Sequence, residues 1–383
     1  MIRSFTRALT SVVVIVAMTA GMVAVAAPVG SVVVSCPGTG STFAGGSGTT
    51  ADPYRIASAT QLASIDTVSG GYMNCSFLQT ADISLASIAN WTPIGSIAQQ
   101  GFGGEYDGGG YRIDDATIIG GGGLFKFAAS ASFKHLHLEV SVTGSYNVGG
   151  LVGAAQFTTI DDVHVTATLV DTGTATGIIV GQFTYGTISR SSGRGSVTTT
   201  AYGGGLVGML SFGAISDSYS RATVTGGLYV GGLVGQVFAC CGSSPQLNRS
   251  FATGTVTGSS NLGGLVGIVS VSGGTSFTNT ASFWDSQTTG RSTSDGGGTA
   301  RTTLQMKDLT TFSGSNWNIT AGYDPAQVWG VCSLSNDGYP FLQIESGGTD
   351  PCSAPVVVPA PTVGAPPSTI VSADDPVIPV FTG

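Results

Sequence analysis

The chain has 383 residues, 60 of them glycine, roughly twice the usual share, and only 9% are charged against about 25% in an ordinary soluble domain. With 13 Lys+Arg and a formal net charge of −8 it cannot easily build the basic patch of a nucleic-acid binder, and it lacks the Glu, Lys and Arg of a coiled coil or helical repeat. A 42% hydrophobic content argues against charge-driven disorder, and glycines that come in pairs exclude collagen.

Residues 1–27 read as a secretory signal. Arg3 and Arg7 form its basic start, Leu9 to Val25 is apolar or small, and Ala24-Val25-Ala26 is a cleavage site. The rival is an uncleaved anchor, since the run is just long enough to span a bilayer. The cleavage site favours removal, and no other segment could span, so no membrane span is expected in the mature chain. Residues 28–118 are expected to hold the N-terminal cap and first turns. Leu62, Ile65 and Val68 suggest a short helix beginning at Ser58 or Thr60. A cap is needed because a bare end exposes strand edges.

Residues 119–285 are a repeat. Gly149-Gly150-Leu151-Val152-Gly153 recurs at Gly177 to Gly181, Gly204 to Gly208, Gly231 to Gly235 and Gly263 to Gly267, with a weaker first copy at Gly122. The spacings are 27, 28, 27, 27 and 32 residues, and the longer last interval holds Cys240 and Cys241. An apolar anchor follows each of the first five copies: Phe133, Ile160, Ile188, Ile215 and Leu247. Nine positions further stand Val142, Leu169, Val197, Val224 and Val256, with period-two alternation between, as in strands with one buried face. A unit this short cannot bury its own apolar face, but stacked units share one core. The glycines are expected to serve tight corners at φ > 0 and close approach of coils. A β-propeller is the main rival, but its blades need about 40 residues or more.

Residues 286–346 are expected to form a C-terminal cap, with Leu304, Met306 and Leu309 on a helix and Trp317, Trp329 and Phe341 as apolar cover. Residues 347–383 are rich in proline and read as an extended tail or linker. The six cysteines suggest one bridge at each end, Cys36 with Cys75 and Cys332 with Cys352, and a vicinal bridge between Cys240 and Cys241. A metal reading lacks any C-x-x-C.

The repeat resembles the GLUG motif, named for Gly-Leu-hydrophobic-Gly, across about residues 120–285. The flanks are similar too: Gly45 to Thr49 with Asp52-Pro53-Tyr54, Trp91 to Gly95, Phe102 through Gly108, Ser282 to Asp285 and Gly338-Tyr339-Pro340. The resemblance implies a right-handed parallel β-helix (β-solenoid), here of about six 27-residue coils with a cap at each end. It also implies secreted or surface-anchored bacterial proteins, many of them adhesin-like, some with peptidase domains. The motif is structural and carries over no catalytic residue. The copy at Ile178-Ile179 departs from the pattern, which is expected to loosen that coil.

Aligned copies place outward residues in ladders. Two past the anchor stand His135, Asp162, Arg190, Asp217 and Arg249, the last four alternating in sign and suited to stacked ion pairs. Four past it stand His137, His164, Ser192, Tyr219 and Phe251. Tyr219 and Phe251 would form an exposed aromatic pair able to stack on a sugar. His135, His137 and His164 raise a three-histidine metal site, but no metal or other cofactor is expected. Eight and ten past it runs a Thr-x-Thr array that includes Thr223, Thr225, Thr255 and Thr257. Such arrays resemble ice-binding solenoids, although threonine also simply suits a solvated strand.

No H-E-x-x-H and no G-x-S-x-G occurs, and the G-x-G-x-x-G at Gly203 to Gly208 is a by-product of the repeat. The adjacent acids Asp114-Asp115 and Asp161-Asp162 point to opposite faces, so neither pair shares a site. The reading is a secreted or cell-surface monomeric scaffold without enzymatic activity, binding an extracellular glycan or protein and no nucleic acid. A polysaccharide lyase or hydrolase is the enzymatic alternative, and ice binding a third.

Overall fold

A computed structural model describes residues 36–37, 42–66, 71–96 and 101–353. The leader expected at 1–27, and the tail beyond residue 353, lie outside the described residues. The chain is all-β, 47% strand, and winds into a parallel β-solenoid of about seven turns, one more than the repeat count implies. Among the described residues no helix is long and apolar enough to cross a membrane.

The repeat sets the register. Val152, Val180, Val207, Val234 and Val266 stack as one parallel column. The anchors Phe133, Ile160, Ile188, Ile215 and Leu247 stack as a second. Val142, Leu169, Val197, Val224 and Val256 stack as a third. Every anchor and every member of the third column is at most 1% exposed, so period-two alternation becomes one continuous core. The Ile178-Ile179 coil is not loosened: both side chains are fully buried, and Val180 pairs in register on either side.

The glycines act differently from the expectation. None of Gly149, Gly153, Gly204, Gly208, Gly231, Gly235, Gly263 or Gly267 has a positive φ. They are needed for close approach alone. A Cβ on Gly149, Gly204, Gly231 or Gly263 would lie 2.1, 1.9, 2.0 or 1.8 Å from a valine carbonyl oxygen of the same coil. A Cβ on Gly208 would meet the Thr176 nitrogen of the preceding coil at 2.3 Å, and one on Gly235 or Gly267 a carbonyl oxygen of the preceding coil at 2.6 Å. The left-handed corners belong instead to residues with side chains. His135, Asp162, Arg190, Asp217 and Arg249 have φ of 50, 58, 45, 47 and 42°. Ser130, Phe157, Tyr185 and Phe212 turn the previous corner at 59, 51, 49 and 61°.

A serine ladder stabilises the first of these corners. Ser191, Ser218, Ser250 and Ser282 are buried just beyond it. Each hydroxyl donates to the carbonyl two residues earlier and accepts a backbone N–H from the preceding coil. That satisfies backbone groups which the turn would otherwise leave buried without a partner.

At the N-terminal end Ser58 caps a helix over Ala59–Ala63, shorter than expected, with Leu62 buried. Cys36 bonds Cys75, and Cys332 bonds Cys352. The vicinal bridge is absent, since Cys240 and Cys241 are free thiols. A trans peptide holds adjacent Cα atoms about 3.8 Å apart, below the roughly 4.4–6.8 Å that a relaxed disulfide spans. After Asp285 the chain first closes the end of the rod: Ser294 accepts N–H groups of Leu265 and Val266, and Thr299–Arg301 pairs with Phe283–Asp285. It then runs back along one flank as a strap. Leu304 is 81% exposed there, while Met306, Trp317, Trp329 and Phe341 are buried.

Candidate functional site

The flank under the strap carries one outward column, Arg112, His137, His164, Ser192, Tyr219, Phe251 and Phe283, in unbroken parallel register. Its C-terminal half is aromatic and its N-terminal half is polar. Tyr219 and Phe251 stack at 4.9 Å with planes 2° apart, as the ladder predicts, but they are fully buried. Trp317, Trp329, Tyr339, Phe312, Met306 and Leu342 of the strap cover them and form a second apolar core. The expected exposed sugar platform is thus an internal seam.

Where the aromatic rungs give way to polar ones, the strap is held by charge. Glu345 reaches into the column, 3.1 Å from His164 Nδ1. It accepts hydrogen bonds from Ser192 Oγ at 2.6 Å and from the Tyr219 hydroxyl at 2.9 Å. His164 Nε2 donates to Asp162 at 2.8 Å. Burial opposes the charge on His164, but Glu345 and Asp162 outweigh it and raise its pKa to about 9. Burial likewise opposes the charge on Glu345, and His164, Ser192 and Arg194 overcome it and pull the carboxyl down to about 2. His137 lies against His164 with ring centroids 5.1 Å apart and planes tilted by 37°, and its pKa is lowered by desolvation and then by the His164 charge. Burial, then Glu345, pushes the Tyr219 hydroxyl up.

Ser192, His164 and Asp162 are spaced like a nucleophilic triad, with Ser192 Oγ 2.9 Å from His164 Nδ1. The charge state does not suit that chemistry. A general base must be neutral and free to accept the serine proton. Here the imidazole is a cation between two carboxylates, and the serine donates to Glu345.

Beside this cluster lies a cleft of about 370 Å³ between column and strap. Arg112, His137, Thr166 and Arg194 line one side, and Ser335, Asn336, Phe341 and Ser346 the other. Arg112 pairs with Asp114 at 3.2 Å and Glu139 at 3.9 Å. Arg194 donates to the Tyr219 hydroxyl at 2.6 Å and to Asn336 Oδ1 at 3.0 Å.

The other predicted residues separate. Arg249 and Asp217 form the expected bidentate pair between coils, at 2.8 and 2.6 Å. Arg190 pairs with Asp161 and not with Asp162, which is committed to His164. The alternating ladder is therefore half formed. His135 turns to Asp107, at 3.0 Å, so the three histidines do not converge. Among the described residues no group of three or more His, Cys, Asp or Glu is placed to hold a metal. Thr223, Thr225, Thr255 and Thr257 are all exposed. Thr225 and Thr257 hydroxyls lie 3.1 Å apart, and Thr255 donates to the Thr288 carbonyl.

One ladder escaped the sequence reading. Phe157, Tyr185 and Phe212 each stand three positions before an anchor, and they stack on the outer corner. Ring centroids are 4.9 and 4.8 Å apart with planes 7 and 20° apart, and Phe238 closes the row edge-on at 5.9 Å. Phe157 is 56% exposed, and the preceding coil offers Ser130 instead of a ring at the same corner.

A family model for the GLUG motif matches residues 144–170, one full copy of the repeat. The chain is thus a β-solenoid that carries a GLUG motif. Among solved structures, one from Bacteroides ovatus named a "putative immunoglobulin A1 protease" is similar at 20% identity. That alignment covers 79% of this chain and 95% of that one, with a TM-score of 0.44. A comparison with curated proteins found no match.

Proposed function

We propose that this protein is an extracellular, non-catalytic scaffold that binds a glycan or matrix ligand through its outer corner. The observation that supports this most is the aromatic row at the corner: Phe157, Tyr185 and Phe212 stack, Phe238 closes the row edge-on, its two ends are exposed and its middle is half-buried. Rows of exposed aromatic side chains on a regular protein mark interaction sites. A sugar ring packs its C–H face on an aromatic face, and Phe157, 56% exposed at the end of the row, is the ring that best suits that contact. Two disulfides suit an oxidising compartment outside the cytosol. The Ser192, His164 and Asp162 arrangement supports a non-catalytic reading, because its charges hold the strap.

The test is a glycan and matrix-protein binding screen on the full chain, run beside a sugar-release assay. The triple variant Phe157→Ser, Tyr185→Ser, Phe212→Ser should lose at least about tenfold in affinity while staying folded at the assay temperature, with its melting temperature lowered by several degrees. Sugar release without binding to any intact glycan or matrix protein would overturn the reading in favour of a lyase or hydrolase. The exposed threonine array supports ice binding as a second reading. Thermal hysteresis abolished by Thr223→Leu and Thr225→Leu would establish it.

A further inference from the structure

We infer that the cleft between the polar rungs and the strap binds a carboxylate-bearing sugar, with Arg194 meeting the carboxylate and His137, Asn336 and Ser346 meeting hydroxyls. The inference rests on the glycan reading for its sugar class, and it adds a site remote from the aromatic corner. The cleft of about 370 Å³ falls in the range of small-ligand pockets. It lies where the polar rungs face the strap across residues Ser335, Asn336, Phe341 and Ser346.

One cation at the cleft has no carboxylate in direct contact. Glu345 faces the cleft and shares the single cation His164 with Asp162. Arg112 is already paired with Asp114 and Glu139. Arg194 has neutral hydrogen-bond partners and, among the described residues, no carboxylate within ion-pair distance. Tyr219 is itself tied to Glu345, and Asn336 donates to the Pro340 carbonyl, so the guanidinium is held in place before any ligand arrives. A guanidinium fixed this way, with no carboxylate in direct contact, suits a planar carboxylate. His137 makes a ring contact with His164 and no side-chain hydrogen bond among the described residues, so both ring nitrogens are free for sugar hydroxyls. Phe341 adds an apolar surface beside these polar groups.

Calorimetry on the full chain should compare oligogalacturonate and oligoglucuronate with neutral gluco-oligosaccharides of equal length. The acidic oligomers should bind at least about tenfold more tightly, and binding should weaken with salt. Arg194→Gln should lose that preference while Arg194→Lys keeps part of it, and both should remain folded at the assay temperature by circular dichroism. If Arg194→Gln does not fold, His137→Phe serves in its place and should weaken acidic and neutral oligomers alike. Equal affinity for neutral and acidic sugars, no binding of either, or an unchanged Arg194→Gln would overturn the inference. The corner variant Phe157→Ser, Tyr185→Ser, Phe212→Ser should still bind the acidic oligomers, which separates failure here from failure of the corner reading.

Discussion

Two of the aromatic ladders that run up this molecule meet opposite fates. Phe157, Tyr185 and Phe212 stack on a corner, Phe157 exposed and the other two half-buried. Tyr219 and Phe251 stack on a flank with nearly the same spacing and are fully buried. Parallel stacking explains both rows equally, because each coil places like residues over like about 4.8 Å apart. The repeat decides that a ladder forms. What lies outside the repeat decides what the ladder does. On the flank, a strap rich in tryptophan turns the row into a second core; on the corner the row stays partly exposed, with Phe157 the most open.

The harshest way to break the contrast is to remove the lid. Trp329 is fully buried and stands 6.1 and 5.8 Å from the Tyr219 and Phe251 rings. Trp329→Ala should destabilise the protein by about 3–5 kcal/mol, as other large aromatic truncations do. Hydrogen exchange should show the loss concentrated in residues 317–342, with the coils between 125 and 211 protected as before. Uniform loss along the rod would mean that strap and solenoid unfold as one unit.

A milder break is electrostatic. Glu345 titrates near 2 when folded, below its ordinary 4.5, so its contribution is present above about pH 4.5 and is lost as pH falls through 2. His164 titrates near 9, above its ordinary 6.5, so its contribution is complete below about pH 6.5 and is lost as pH rises through 9. The strap should therefore be held most firmly between about pH 4.5 and 6.5. Glu345→Gln should cost about 2–4 kcal/mol there, because it leaves His164 buried with one carboxylate. It should flatten both limbs of a stability–pH curve, and NMR titration should find the His164 pKa lowered. A curve with the parent's shape would show that Glu345 does not hold the strap.

These differences trace how far the sequence could be read. The core was legible because it repeats: Ile160 and Ile188 declare each other, and register follows from the 27- and 28-residue spacings. The end disulfides followed from the placement of Cys36, Cys75, Cys332 and Cys352 outside the array. The role of Gly204 was half legible. Its repetition signals a constraint, but only coordinates tell a clash with the Val207 carbonyl from a need for positive φ. The burial of Tyr219 was not legible, since Trp329 lies 110 residues downstream in a segment with no period to align. Glu345 was missed for the same reason. The corner row and the serines at 191, 218, 250 and 282 were available in the alignment of copies, at fixed offsets from the anchor.

The finest test stays on the exposed ladder and asks whether its rings support one another or merely share a corner. Tyr185 has a stacked neighbour on each side, at 4.9 and 4.8 Å, while Phe157 has one. Aromatic pairs contribute about 0.5–1.5 kcal/mol beyond the area they bury, with exposed pairs at the low end. Tyr185→Ala should then cost about 1 kcal/mol and Phe157→Ala about half of that, measured by chemical denaturation. Both positions have positive φ, 49 and 51°, so the backbone penalty on each substitution is alike and cancels in the comparison. A larger cost at Phe157 than at Tyr185 would mean that the rings act singly. The ladder would then be a row of separate contacts, and its regular spacing would say nothing about the ligand.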